Sequence, residues 1–355
     1  MNIKHSLFFA AVLLMQYGCG HKKASDPLAD SGRTQRTENL LLNLDSIAER
    51  GYLCGQQDAT LYGIGWEGDS ARSDIHTISN EHPAIAAFEV GGIERLQSSE
   101  IAALGNTEEA VDTISGISYS TSPRNILGAR FTTIKKRILE QYDRSGVCVL
   151  TWHMASRPTW TQIDRLCDFL NSLDEPYGVR VPVILRPCTP CQNLNFWQRL
   201  TERLKAKNVT NALLACDANA FTSDMASYID ILGIADCQLY GTADTAAAYA
   251  KRLDTELSRL TALGKQYQKP VGILACGQQG LRTEHWFTTV LLPVLDHHRL
   301  SFVLFARNDN SRPGNFYVPF PGQQNVSDFV TFVNAQPTLF LHDINGIYLS
   351  KDDGK

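Results

Sequence analysis

The chemically capable side chains of this chain gather just after short apolar runs. In chain order these ends read Gln56-Gln57-Asp58, Glu89, Trp152-His153, Arg186-Pro187, Asp217, Asp236, Ala275-Cys276 and Arg307-Asn308. Seven of the eight turn polar, which a scaffold that only had to fold would not need. Glu89, Asp217, Asp236 and Asp309 are of the type that serves as general acid or base, provided two of them are aligned. A carboxylate in such a place more commonly caps a loop or pairs with an arginine, here Arg186 or Arg307. His153 is equally suited to orienting a substrate hydroxyl and to a hydrogen bond within the structure. Five thiols, Cys188, Cys191, Cys216, Cys237 and Cys276, fall in the same zone. The two-residue gap in Cys188-Thr189-Pro190-Cys191 also occurs in zinc and redox sites. Together with His153 these thiols could hold a metal, Cys188, Cys191, Cys216 and Cys276 being the candidate ligands, or one pair could form a disulfide. Strand alternation turns some of them outward, so buried free thiols or a single disulfide is the default. No cofactor is implied.

The elements that must position these residues alternate. Apolar strand-like runs span 52–56, 84–90, 147–152, 181–186, 212–216, 229–235, 271–275 and 302–305. Amphipathic helical patterns span 126–142, 160–173, 196–205, 246–263 and 284–298. Near-continuous apolar strands alternating with helices are the pattern of a parallel sheet buried on both faces. Eight such units in one chain predict a single (β/α)8 TIM barrel of the α/β class, occupying residues 37–355. An open doubly wound sheet is the competing architecture, but no glycine-rich phosphate turn follows the first strand. The polar stretch 105–122 is expected to loop outside the barrel. In a barrel of this kind the active face lies at the carboxyl ends of the strands, where the polar residues fall.

With 43% hydrophobic and 20% charged residues, the chain can bury one sizeable core. A net charge of −4, with no basic run beyond Lys22-Lys23, leaves no electrostatic footprint for nucleic acid. At the N-terminus, Lys4 and His5 precede an apolar stretch from Leu7 to Met15 that is too short to span a bilayer and suits a signal peptide. The Gly18-Cys19 that follows resembles a bacterial lipobox. That resemblance implies a signal peptide over 1–19, acylation of Cys19, a flexible tether over 20–36 and a place at the bacterial cell envelope, periplasmic or surface side. Export permits disulfides among the other cysteines.

Taken in order, the motifs resemble those of the family-26 glycoside hydrolases, best known as β-mannanases. The resemblance runs from about Leu40 to Leu349. It rests on Gly55-Gln56-Gln57-Asp58, Tyr62-Gly63 and Ser73-Asp74, on Phe88-Glu89-Val90-Gly91, on Trp152-His153 with Arg157-Pro158, and on Arg186-Pro187 and Arg307-Asn308. Its most specific part is Phe316-Tyr317-Val318-Pro319, Ser327-Asp328-Phe329 and Thr338-Leu339-Phe340. It implies a polysaccharide or oligosaccharide partner, mannan-type or another β-glycan. It also implies substrate-binding roles for Trp152, His153, Arg186, Asp236, Arg307 and Asn308.

The departures bear directly on activity. Retaining glycosidases use two carboxyl groups about 5–5.5 Å apart. The resemblance places the acid/base two residues after Pro187-Cys188, where Thr189-Pro190 replaces a His-Glu pair, and the nucleophile at Ala275. Neither proline nor alanine can do that chemistry. Gln238 and Ala306 stand where family aromatics are expected. The sequence therefore favours a non-catalytic, β-mannanase-like lipoprotein that binds a polysaccharide. An active glycoside hydrolase with relocated carboxylates, Asp217 and Asp236 being the substitutes, and a scaffolding lipoprotein are the alternatives.

Overall fold

Each of the eight apolar runs becomes a barrel strand. The computed structural model describes residues 32–69, 71–104, 110–111, 118–119, 122–174, 178–190, 192–241 and 244–350. The strands are β1 (Tyr52–Gln57), β2 (Ile85–Glu89), β3 (Val147–His153), β4 (Val183–Cys188), β5 (Ala212–Asp217), β6 (Ile231–Gln238), β7 (Val271–Gln278) and β8 (Phe302–Phe305). Neighbours pair in parallel throughout, and β8 returns to β1 with Gly55 opposite Leu304 and Gln56 opposite Phe305. The sheet is thus closed into a single (β/α)8 barrel. Residues such as Val147 to Trp152 and Ala212 to Cys216 are buried without interruption, because lumen and helix layer cover opposite faces of the same strand.

The helices are α1 (Gln35–Ile47), α2 (Asp74–Ser79), α3 (Ser98–Ala103), α4 (Phe131–Asp143), α5 (Trp160–Asn171), α6 (Leu194–Ala206), α7 (Ala246–Tyr267), α8 (Leu292–Leu295) and α9 (Val326–Val333). Hydroxyl and amide side chains start several of them: Ser73, Thr159, Asn193 and Thr245 each accept a backbone N–H of the first turn. None of the described helices is long and apolar enough to cross a membrane.

Three boundaries differ from the sequence expectation. The helix expected from 126 begins at Phe131, because the Asn125 side chain accepts the N–H groups of Leu127 and Ala129 and holds a turn there. The pattern over 284–298 is a π-helical turn, Phe287–Leu291, followed by α8, with Pro293 lacking the N–H a regular helix would use. At the N-terminus the fold begins before residue 37. Arg33 is buried in an ion pair with Asp230, and Thr34 caps α1 while its N–H bonds Thr210 O. Asp230 and Thr210 precede β6 and β5, so the chain enters at the amino-end face of the barrel. Leu40, Leu44 and Ile47 of α1 are buried. Cys19 and the rest of the expected signal peptide and tether, up to residue 31, lie outside the described residues. Most of 105–122 does too, except a short antiparallel ribbon, Ala110–Val111 with Ser118–Tyr119, separate from the barrel sheet.

One irregularity matters for the mouth. Across β7 the register advances from Ile273 opposite Val303 to Cys276 opposite Phe305, and from Ile273 opposite Ile234 to Ala275 opposite Ala235. Around Leu274 β7 therefore carries one residue more than either neighbour, a β-bulge of the kind that re-aims side chains beside active sites.

Candidate functional site

At the carboxyl ends of β2, β3 and β4 three side chains form a row. Glu89, fully buried, accepts the N–H of Gly91 at 2.6 Å and of His153 at 3.3 Å through Oε1, and its Oε2 lies 2.5 Å from His153 Nδ1. Gly91 has to be glycine here, since a Cβ would stand 2.7 Å from Glu89 Oε1. His153 stands directly opposite Cys188 on β4, and the Cys188 thiol reaches Arg186 O at 3.9 Å. The thiol and then the carboxylate raise the imidazole to about 10, against the opposing effect of burial. The imidazolium is thus the form held at neutral pH.

Next to this row, Asp58 is buried with a left-handed backbone (φ 54°). Its carboxylate accepts Glu89 N–H at 3.1 Å and the Tyr62 hydroxyl at 2.9 Å. Tyr62 in turn accepts from Arg307, whose other amine donates to Asp309 at 3.1 Å. Burial raises Asp58 from 3.8 to about 6, only partly offset by its donors. An acid raised on folding costs stability while ionised, so the cost is complete above about 6 and is relieved as pH falls toward 3.8. Replacing Asp58 by Asn should remove this dependence. Between about pH 8 and about pH 4, wild-type unfolding free energy should rise by roughly 2 kcal/mol relative to Asp58→Asn, read by urea unfolding.

Asn308 is a structural hub rather than a ligand contact. Its Oδ1 accepts from Gln56, Tyr317 N–H and Val318 N–H, and its amide donates to Asp74 at 2.7 Å and to Val318 O at 2.9 Å. Asp74 also accepts the Trp66 indole N–H and Ile64 N–H. Asn308 is buried with its donors and acceptors fully engaged, which contradicts a substrate-binding role for it.

Two further expectations are corrected. Trp152 is wholly buried, its indole donating to Glu94 on the turn after β2, so it cannot touch a ligand in the mouth. Asp236 faces the helix layer, where Arg252 of α7 grips both carboxylate oxygens at 2.8 and 3.1 Å. Ala235, one residue earlier, is the exposed one, as strand alternation requires. Arg186 does reach across the barrel, donating to Leu274 O at the bulge. Arg307 is partly open, Ala275 is half-buried and Pro190 is exposed. Asp217 is half-buried, accepts Asn219 N–H through Oδ1, and has no cationic partner among the described residues.

Cys276 is buried with Cys237, Cys54 and Tyr249 in its surroundings, and Cys216 is buried with its thiol near Gln192. Among the described residues no three His, Cys, Asp or Glu side chains share a point that could hold a metal, and none of the described cysteines is in a disulfide. Cys191 lies outside the described residues.

Two rim aromatics escaped the sequence reading. Tyr240, two residues past β6, is 49% exposed with Arg282 stacked 4.5 Å from its ring centre. Trp160, the first residue of α5, is 42% exposed with Arg199 likewise at 4.5 Å. For Tyr240 the position just past the end of β6 was the available signal, and for Trp160 the start of the helix that follows β3.

The chain is a closed parallel barrel with its polar cluster at the carboxyl face, and solved structures share that fold. The fold is that of GH26 β-mannanases. A GH26 β-mannanase from Bacteroides ovatus is 28% identical, covering 90% of this chain and 98% of its own, with a TM-score of 0.77. The catalytic domain of a Bacillus sp. GH26 endo-β-1,4-mannanase (17% identical, 93% and 97% covered, TM-score 0.70) and a GH26 protein from Muricauda sp. (19%, 89% and 94%, 0.68) share the fold. No family model and no curated protein matches the chain.

Proposed function

We propose that this chain is a non-catalytic relative of the GH26 β-mannanases that binds a polysaccharide, mannan-type or another β-glycan, at the cell envelope through a lipidated Cys19. One observation carries the reading: apart from Asp217, the carboxylates at the strand ends are committed to side-chain partners of the protein. Asp58 is held by Tyr62, Glu89 by His153, Asp236 by Arg252, and Asp309 by Arg307 and Ser311. At the position matching the family nucleophile β7 offers only the methyl group of Ala275, and past β4 Pro190 has no proton to give. Exposed Tyr240 and Trp160 supply the flat apolar faces on which sugar rings stack.

Asp217 favours a second reading. Among the described residues it has no cation and no side-chain partner, and with a second carboxylate it could serve a relocated acid/base mechanism on mannan or another glycan. The two readings separate in one experiment. The full chain is run in gels containing mannan, xylan or mixed-linkage glucan, and the same mixtures are assayed for reducing ends. Retarded migration without new reducing ends is expected, with Tyr240→Ala migrating faster than wild type in the retarding gel. Reducing ends that vanish in Asp217→Asn overturn the proposal in favour of the enzyme. Unretarded migration on every glycan leaves a scaffold.

A further inference from the structure

The mouth of the barrel holds a cation that the protein leaves without a counter-charge. Resting on the glycan-binding reading above, we propose that the bound polysaccharide is anionic. It is a β-1,4-linked chain whose rings carry carboxylates, as in a mannan oxidised to the uronic acid at C6, and one carboxylate seats on Arg186.

Arg186 stands on β4 and donates to Leu274 O on β7 at 3.3 Å. In the sheet β5 and β6 lie between those two strands, so the side chain crosses the lumen. Alternation agrees, since Arg186 is two residues from Cys188, which stands opposite half-exposed His153. The bond to Leu274 uses one guanidinium N–H, and the others have no acceptor among the described residues. Nor has Arg186 a carboxylate partner among them. Its neighbours at the strand ends are matched: Glu89 with His153, Arg307 with Asp309, Arg252 with Asp236.

What surrounds the guanidinium on β7 is small. The ends of β6, β7 and β8 carry Ala235, Ala275 and Ala306. Ala235 is opposite Ala275, and Ala306 N–H bonds Cys276 O. Ala235 is exposed and the other two are half-buried, so methyl groups and open space adjoin Leu274. A glutamate at 275 would neutralise Arg186 from within. With alanine there, the counter-charge has to come from outside. A guanidinium grips a carboxylate through two parallel hydrogen bonds. That attraction is stronger in a half-enclosed mouth than on open surface.

A second unmatched cation lies on the same side of the rim. Tyr240 packs over the turns after β7 and β8, where a Cβ at Gly280 would overlap its hydroxyl and one at Gly314 would come within 3.2 Å of its ring. Arg282 covers that ring, donates to Leu239 O at 3.1 Å, and has no carboxylate partner among the described residues. Asp217 opposes the two cations, but it lies on β5, two strands from β7, with Oδ1 on Asn219 N–H. The attraction is local, because the chain as a whole, at a net charge of −4, repels polyanions.

The test compares two polymers that share one backbone, neutral β-1,4-mannan and poly-β-1,4-mannuronate. Each is titrated against the full chain at about 0.1 M salt, where exposed charges more than about 10 Å apart are screened. Polymannuronate is expected to bind about tenfold more tightly than mannan, as one charge-assisted contact provides. Arg186→Gln should abolish that preference. Ala275→Glu should do the same while keeping the arginine, and it carries the test if Arg186→Gln fails to fold. Dextran sulfate is the control for unspecific attraction. Equal binding of the two polymers, a preference that survives in a folded variant, or tighter binding of dextran sulfate than of polymannuronate overturns the proposal and leaves the glycan-binding reading standing. Binding of neither polymer overturns both.

Discussion

Gly55→Ala is expected to leave little or no folded protein. Gly55 sits in the middle of β1, paired with Ile85 of β2 on one side and Leu304 of β8 on the other. A Cβ built there would lie 1.6 Å from Ile85 O and 2.7 Å from Ile85 C, both backbone atoms. A flexible side chain could swing aside, but a carbonyl within a closed sheet cannot move without taking its strand along. Overpacking a core costs about 1–3 kcal/mol when side chains can give way. Here the obstacle is the backbone of the neighbouring strand β2 within the closed barrel, and a loss of at least about 4 kcal/mol is expected. Soluble yield and urea unfolding measure it. Gly68→Ala is the control: Gly68 has φ +79° and nothing within 4 Å, so it should lose only about 1–2 kcal/mol, from backbone strain alone. Equal losses at the two positions would refute the close-approach explanation.

Asn308→Ala should destabilise by about 3–5 kcal/mol. The change removes the acceptor for Gln56 and for the N–H groups of Tyr317 and Val318, and the donor that holds Asp74. Each buried polar group left without a partner costs about 1–3 kcal/mol, and relaxation or water recovers part of the sum. Asn308→Asp, nearly identical in shape, should be at least as damaging. It sets a second carboxylate against Asp74, which burial already raises. Midpoints of urea unfolding for both variants provide the comparison, and a milder effect for Asn308→Asp would contradict the hub described above.

The contrast between these sites and the sequence reading shows what a chain reveals about itself. Strand positions were legible because a strand buried on both faces must be apolar nearly throughout, and all eight runs, from 52–56 to 302–305, became strands. The polar run ends were legible as well. Which way each side chain points was not. Trp152 and His153 are adjacent, yet one is sealed under the helix layer and the other is half-exposed. Asp236 and Ala235 divide in the same way, next to a bulge in β7 that no local pattern announces. The partners that decide these fates are distant in sequence: Arg252 for Asp236, Asp74 for Asn308, Glu89 for His153. The Glu89, His153, Cys188 row assembles from three strands, and its residues gain their meaning only when β2, β3 and β4 lie side by side.

The entry of the chain has a geometric outcome. Arg33 is clamped to Asp230 ahead of β6, and Thr34 to Thr210 ahead of β5. Whatever pulls on residues 1–31 therefore pulls on the floor of the barrel, opposite the rim that carries His153, Arg307 and Tyr240. Under the proposed attachment at Cys19, the opening of the barrel lies on the face away from the mooring. Moving the attachment to the C-terminus would test whether this posture matters for capture at a surface.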